Sequence, residues 1–283
     1  MLDRLETYIA QLQADPVNFL ISMAYIWGVI LFSLILHECA HGYAALRCGD
    51  PTAKLMGRLS LNPARHLDPV GTLCMFLLGF GWAKPVPVNP RNFRHYRRDD
   101  FIVSIAGITV NLTIFLVAVM LSAVLNPLIW TQDLLHIVRT KFGEIDMLLN
   151  PFYGWVLTFQ DVEMSIGASS IMNYGHQLTE TFAGFIDHGG LLYIQRALLL
   201  LAQVNLTLAV FNLLPIPPLD GFHVVNDLLF KGRLYLNRQM HQGLRLALML
   251  MLLSGFLDKF LTLCTSTVYQ AVLRLALMLT GQL

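Results

Sequence analysis

Residues 16–41 read PVNFLISMAYIWGVILFSLILHECAH. The first 21 of them, Pro16 to Leu36, carry no charge. At about 1.5 Å of rise per residue they make a helix of roughly 31 Å, the length needed to cross a hydrocarbon core of about 30 Å. The run therefore predicts a first membrane-spanning helix that passes unbroken into His37. In His37-Glu38-Cys39-Ala40-His41 the two imidazoles stand at i and i+4. They share one helix face with Cβ atoms about 5–6 Å apart, which suits two ligands of a single tetrahedral zinc. Glu38 lies beside them, where it can reach a water on that ion. The blander reading makes both histidines interfacial hydrogen-bonders and Glu38 a side chain snorkelling to the headgroups.

Outward from this stretch the chain keeps a membrane composition. Of 283 residues, 55% are hydrophobic and 13% charged, and the formal net charge is +1. That is too apolar for an ordinary soluble domain and gives no basic field for nucleic acid. The uncharged run Phe101–Trp130 and the apolar runs Leu191–Leu214 and Leu244–Leu263 predict three more spans, with Pro127 ending the second. The apolar piece after Val268 reads either as a further span or as a tail in the interface. Ala53 to Asn62 alternates, Leu55, Gly57, Leu59 and Leu61 against Lys54, Met56, Arg58 and Ser60, and predicts a short strand or hairpin arm. Val70–Phe80 is too short to cross and runs into the proline-rich GWAKPVPVNPRNFR, so a re-entrant element is expected. Residues 131–190 carry seven acidic residues against Arg139 and Lys141 and form an extramembrane insertion. The fold class expected is an all-α polytopic membrane protein of four to six transmembrane helices, one domain over 1–283, with a short membrane-associated strand or hairpin. The four cysteines, Cys39, Cys48, Cys74 and Cys264, contain no CxxC pair and read as buried thiols.

Lys and Arg favour the cytoplasmic side in short loops. Residues 47–100 hold nine of them and 215–245 four more, so both regions are expected on the cytoplasmic side, together with the ends of the first and third spans. The third span stops in Asn212-Leu-Leu-Pro215-Ile-Pro217-Pro218-Leu219-Asp220-Gly221. Prolines there free backbone carbonyls that only protein or water can satisfy at membrane depth. Asp220 is the best candidate for the third protein ligand that a catalytic zinc requires. Taken alone, it would read as a helix cap; on the same side as HECAH it reads as a ligand.

HECAH at 37–41, NLLPIPPLDG at 212–221 and Gly107-Ile-Thr-Val-Asn111 in the span between resemble the site-2 proteases, intramembrane zinc metalloproteases, in their compact form without PDZ or CBS domains. The resemblance implies one Zn2+ per chain held by His37, His41 and Asp220, with Glu38 as catalytic base and Asn111 positioning substrate. It implies a transmembrane protein or peptide as substrate, cleaved within or near the bilayer. A prokaryotic plasma membrane is expected, with the active site towards the cytoplasm. His66 and His223 read as local hydrogen-bonders, and Asn205 and Asn212 as structural. The rival readings are a divalent-metal transporter, an inactive membrane-protein-binding relative, and a metallopeptidase whose third ligand is Glu144, Glu163 or Glu180.

Overall fold

The computed structural model describes residues 9, 12, 13, 16–78, 83–129, 131, 188–234 and 236–281. Its helices are α1 Pro16–Cys48, α2 Thr52–Leu55, α3 Pro69–Leu78, α4 Tyr96–Ile129, α5 Gly189–Asn212, α6 Asp220–Leu229, α7 Arg238–Leu253 and α8 Phe256–Leu279, with short 3-10 turns at Pro63–Arg65 and Pro90–Asn92. Four stretches are long and apolar enough to cross a membrane: Phe19–Cys48, Tyr96–Ile129, Tyr193–Asn212 and Lys259–Leu279. α4 shows why water is the wrong solvent. Phe115, Ala118, Val119, Ser122, Ala123 and Asn126 line its buried face, while Val117, Leu121, Val124 and Leu128 stand exposed along another. A helix apolar on its outward face as well as its inward one belongs in lipid or a deep core.

The chain packs as two compact units. The first takes Ile30–Thr113 and Val204–Leu263; the second takes, among the described residues, the chain up to Val29, Ile114–Gln203 and Cys264 onward. In the first unit one core cluster joins Ala45, Cys48, Phe93 and Val103, and another joins Ile108, Ala209 and Val224. A third, Leu219, Leu248 and Leu257, seats α7 and the start of α8 against the turn before α6. In the second unit Gln195 Nε2 donates to Asn126 Oδ1 at 3.2 Å, and the Phe115 and Tyr269 rings lie 6.1 Å apart.

The expected strand at Ala53–Asn62 is not there, and the described residues contain no strand. Its first residues are a helical turn, because the Asp50 carboxylate accepts Thr52 N–H at 3.1 Å and starts α2. Gly57, at φ +63°, is the left-handed residue that ends it: Gly57 N–H donates to Lys54 and Arg58 N–H to Ala53. These two bonds are the Schellman closure, so the glycine in the alternating pattern is a helix stop.

The fourth expected span is also redrawn. Gly255, at φ +72°, separates α7 from α8, so Leu244–Leu263 is not one helix, and the candidate span is Lys259–Leu279. The residues after Val268 belong to it. Pro127 lies inside the last turn of α4, which continues to Ile129. Most of the insertion at 131–190, and the 79–82 end of the expected re-entrant element, lie outside the described residues; α3 itself is a helix of 10 residues.

α1 ends in the same Schellman fashion at Gly49, which delivers Asp50 into a wholly buried position. There its carboxylate accepts from Asn89 N–H at 2.6 Å and Asn92 Nδ2 at 2.7 Å, as well as from Thr52. Burial pushes Asp50 up, but these donors outweigh it and hold the carboxyl below its ordinary range. This carboxylate thus ties the segment before α4 to the end of α1. Asp50→Ala removes the shared acceptor of these partly buried donors and is expected to destabilise the detergent-solubilised protein by about 1–3 kcal/mol, read as a fall in thermal unfolding midpoint.

Candidate metal centre

α1 carries His37 and His41 on one face, and the proline-rich stop after α5 carries Asp220, the first residue of α6, towards them. The Pro217–Pro218 peptide bond is cis. Gly221 is helical; a β-carbon there would fall 2.3 Å from the Leu213 carbonyl oxygen, so its smallness serves close packing of this turn. His37 Nε2 lies 3.0 Å from His41 Nε2, and Asp220 Oδ2 lies 3.3 Å from each. The two rings meet edge to face at 4.6 Å.

Around a tetrahedral zinc with bonds of about 2.0–2.1 Å, ligand atoms sit roughly 3.3–3.4 Å apart. Two edges of the observed triangle match that figure, and the His37–His41 edge is about 0.3 Å shorter. Asp220 Oδ2 is buried with no hydrogen-bond donor, the state expected of an oxygen whose partner is a cation. Among the described residues this is the group of three whose donor set could hold a metal ion.

α4 forms the wall behind the histidines. His41 Nδ1 lies 2.7 Å from the Val103 carbonyl oxygen, and Asn111 Nδ2 lies 3.1 Å from His37 Nδ1. Between them is Gly107, where a β-carbon would sit 2.5 Å from both His37 Cε1 and His41 Nε2. No flexible side-chain end could relieve that overlap, since both rings are pinned by α1. Glu38, half-buried on the next face of α1, accepts the Val86 N–H at 2.7 Å through Oε2. Arg58 holds the same segment by donating to the Lys84 and Pro85 carbonyls at 2.7 and 3.2 Å, and Lys84 N–H donates to the His66 carbonyl at 2.8 Å.

The sequence profile of peptidase family M50 matches residues 25–255, which contain every one of these groups. The chain belongs to that family. A protein of Bacillus subtilis (strain 168) named "Putative zinc metalloprotease YwhC" is 32% identical over 210 residues, covering 74% of this chain and 71% of that protein. No solved structure gives a significant match. The resemblance to the site-2 proteases is thus borne out at the level of the family, and the M50 chain is a membrane metalloprotease.

His37, His41 and Asp220 come together as expected, with Glu38 adjacent. Asn111 is wholly buried against His37. His66 and His223 are local hydrogen-bonders: His66 Nε2 lies 2.6 Å from the Ser60 carbonyl, and His223 Nδ1 3.1 Å from Asp100 Oδ2. Asn205 Nδ2 donates to Ser33 Oγ at 2.8 Å and Asn212 Nδ2 to the Leu208 carbonyl at 3.0 Å. Glu144, Glu163 and Glu180 lie outside the described residues. The Val86 amide and the Val103 carbonyl escaped sequence reasoning because a backbone group's role leaves no mark on residue type.

Asp227, two turns beyond Asp220 on α6, is 2% exposed, and neither carboxylate oxygen has a donor. It faces the Asp100 carboxyl of α4, with which it can bond only through a shared proton. Arg97 Nε donates to the Asp227 backbone carbonyl at 2.7 Å, and His223 pairs with Asp100. Burial first, and the Asp100 charge next, push Asp227 up to about 6. A carboxyl raised in the folded state gives stability that is complete below its unfolded value of about 4 and is lost as pH rises through the folded value.

Gly107→Ala is expected to weaken zinc binding at least about tenfold, measured by chelator competition on the purified protein. Asp227→Asn is expected to remove the part of the stability loss that the wild type shows between about pH 4 and 7, so that the unfolding midpoints of the two diverge as pH rises.

Proposed function

We propose that this M50 chain is a site-2-type zinc endopeptidase that hydrolyses peptide bonds of membrane proteins within or near the bilayer. The observation that carries the reading is the convergence of His37 Nε2, His41 Nε2 and Asp220 Oδ2 at 3.0–3.3 Å, with both histidines inside the candidate span Phe19–Cys48. One Zn2+ per chain would be held by those three atoms. It would supply Lewis acidity, lowering the pKa of water towards about 7 and polarising a substrate carbonyl.

Glu38 is the group that moves protons. Its Oε2 is anchored on the Val86 amide, which orients the carboxylate and leaves Oε1 to take a proton from water as it attacks the scissile carbonyl. Glu38 then returns that proton to the departing amine, as microscopic economy of one acid–base group allows. The metal ligands and base come from α1 and the start of α6, both rigid helices, so the reacting groups are held in place before substrate arrives.

A transmembrane substrate must unwind locally, because its carbonyls are otherwise engaged in helical hydrogen bonds. α3, a helix of 10 residues, is too short to span and fits a half-depth element. Lys and Arg number nine in residues 47–100, which supports a cytoplasmic-facing site. The Bacillus relative supports a prokaryotic plasma membrane as its home.

The test pairs metal content with cleavage of a model transmembrane substrate by the solubilised full chain. Glu38→Gln is expected to keep about one zinc and lose cleavage by about 10²–10⁴-fold; Asp220→Ala is expected to lose both zinc and cleavage. Full activity in Asp220→Ala would remove that residue from the site, and metal flux through vesicles without proteolysis would replace the protease by a transporter.

A further inference from the structure

The α4 contacts of the two histidines fall on one stripe. Val103, Gly107 and Asn111 stand at i, i+4 and i+8, directly above one another on a helix. In a helix the carbonyl of residue 103 points towards residue 107, where any side chain would cover it. With glycine at 107 the Val103 oxygen stays open to His41 Nδ1, at 2.7 Å. A carbonyl can only accept, so His41 carries its proton on Nδ1 and presents a bare Nε2.

His37 requires the same arrangement, and its partner is Asn111. As placed, the amide nitrogen faces His37 Nδ1 at 3.1 Å, while Asn111 Oδ1 is buried with no donor. In that orientation Nδ1 would accept, and the ring proton would sit on Nε2, the atom 3.3 Å from Asp220 Oδ2. Rotating the amide by half a turn exchanges oxygen and nitrogen without changing the outline of the side chain. Oδ1 then accepts Nδ1–H, and Nε2 is freed as a donor atom to a metal.

We propose that Asn111 is the positioning residue for His37, its amide oxygen fixing the Nδ1–H tautomer and the ring angle just as the Val103 carbonyl does for His41. The inference rests on the metal site proposed above. It gives the Gly107-x-x-x-Asn111 pattern a physical meaning: one position yields room and a bare carbonyl, the other yields an acceptor. Asn111 touches the ligand's far nitrogen and not the reacting atoms.

The experiment compares Asn111→Asp with Asn111→Ala in the full chain in detergent, neither replacement being larger than asparagine. Zn2+ affinity is read by chelator competition, Co2+ coordination by its visible absorption, and folding by the metal-free unfolding midpoint. Asn111→Asp, which keeps the acceptor, is expected to bind within about tenfold of wild type and to give the wild-type Co2+ spectrum. Asn111→Ala is expected to lose about 10–100-fold in affinity, with a larger effect on metal binding than on the metal-free midpoint. Equal affinities for Asn111→Ala and wild type, or equal losses in the two variants, would overturn the assignment. His41→Ala serves as the reference for the site itself. Zinc that binds wild type, vanishes in His41→Ala and ignores Asn111→Ala refutes this inference alone, whereas a wild type that binds none refutes the metal site beneath it.

Discussion

Two imidazole rings lie against a helix that meets them with a glycine, and the arrangement of the first unit follows from that closeness. For His37 and His41 to reach the Val103 carbonyl and the Asn111 amide, α1 must approach α4 to within the thickness of a ring. Gly107 makes the approach sterically open, and hydrophobic clusters on either side hold it. Ala45, Cys48, Phe93 and Val103 close the gap below the histidines; Ile108, Ala209 and Val224 bring α5 and α6 onto the neighbouring face of α4. The second cluster is what delivers Asp220, since α6 begins with that residue and carries Val224 one turn later. Apolar burial of this kind sets the distances, and the polar groups then have little freedom in where to point.

Polar ties do the same for the irregular segments. Between α1 and α4 the chain has little regular structure to position it, yet Asp50, Arg58 and Glu38 each hold a different part of it by buried or half-buried hydrogen bonds. Such bonds are geometrically strict and costly to leave unmade. Glu38 belongs to this set as well as to the proposed chemistry: the bond that fixes a loop also fixes the carboxylate that would move protons.

The convergence of His37, His41 and Asp220 could be read from the chain because it depends on residue type and spacing. HECAH places two imidazoles on one face by helical period alone, and the proline-broken PIPPLDG advertises an aspartate where an ordinary helix would continue. The long apolar runs at Pro16–Leu36, Phe101–Trp130 and Leu191–Leu214 likewise became α1, α4 and α5 with ends displaced by a few residues, apart from α1, which runs on through the motif to Cys48. Where the reading departed, local backbone chemistry had overruled a periodic pattern. Gly57 sat in an alternating run and was in fact a left-handed stop; Gly255 sat in an apolar run and cut it into two helices. A period-2 pattern and a single turn followed by a glycine stop look alike over six residues, and hydropathy is blind to one left-handed residue. The packing of Asn111 against His37 needed coordinates, since no spacing rule relates residues 74 apart.

Lys84 and Val86 spend their amides on His66 and Glu38, and positions 85 and 87 are prolines with no amide to offer. A stretch of backbone without spare amides cannot donate to a neighbouring chain. On the proposed function, a peptide unwound beside Glu38 therefore finds no amide donor in residues 84–87, and its carbonyls must be satisfied elsewhere.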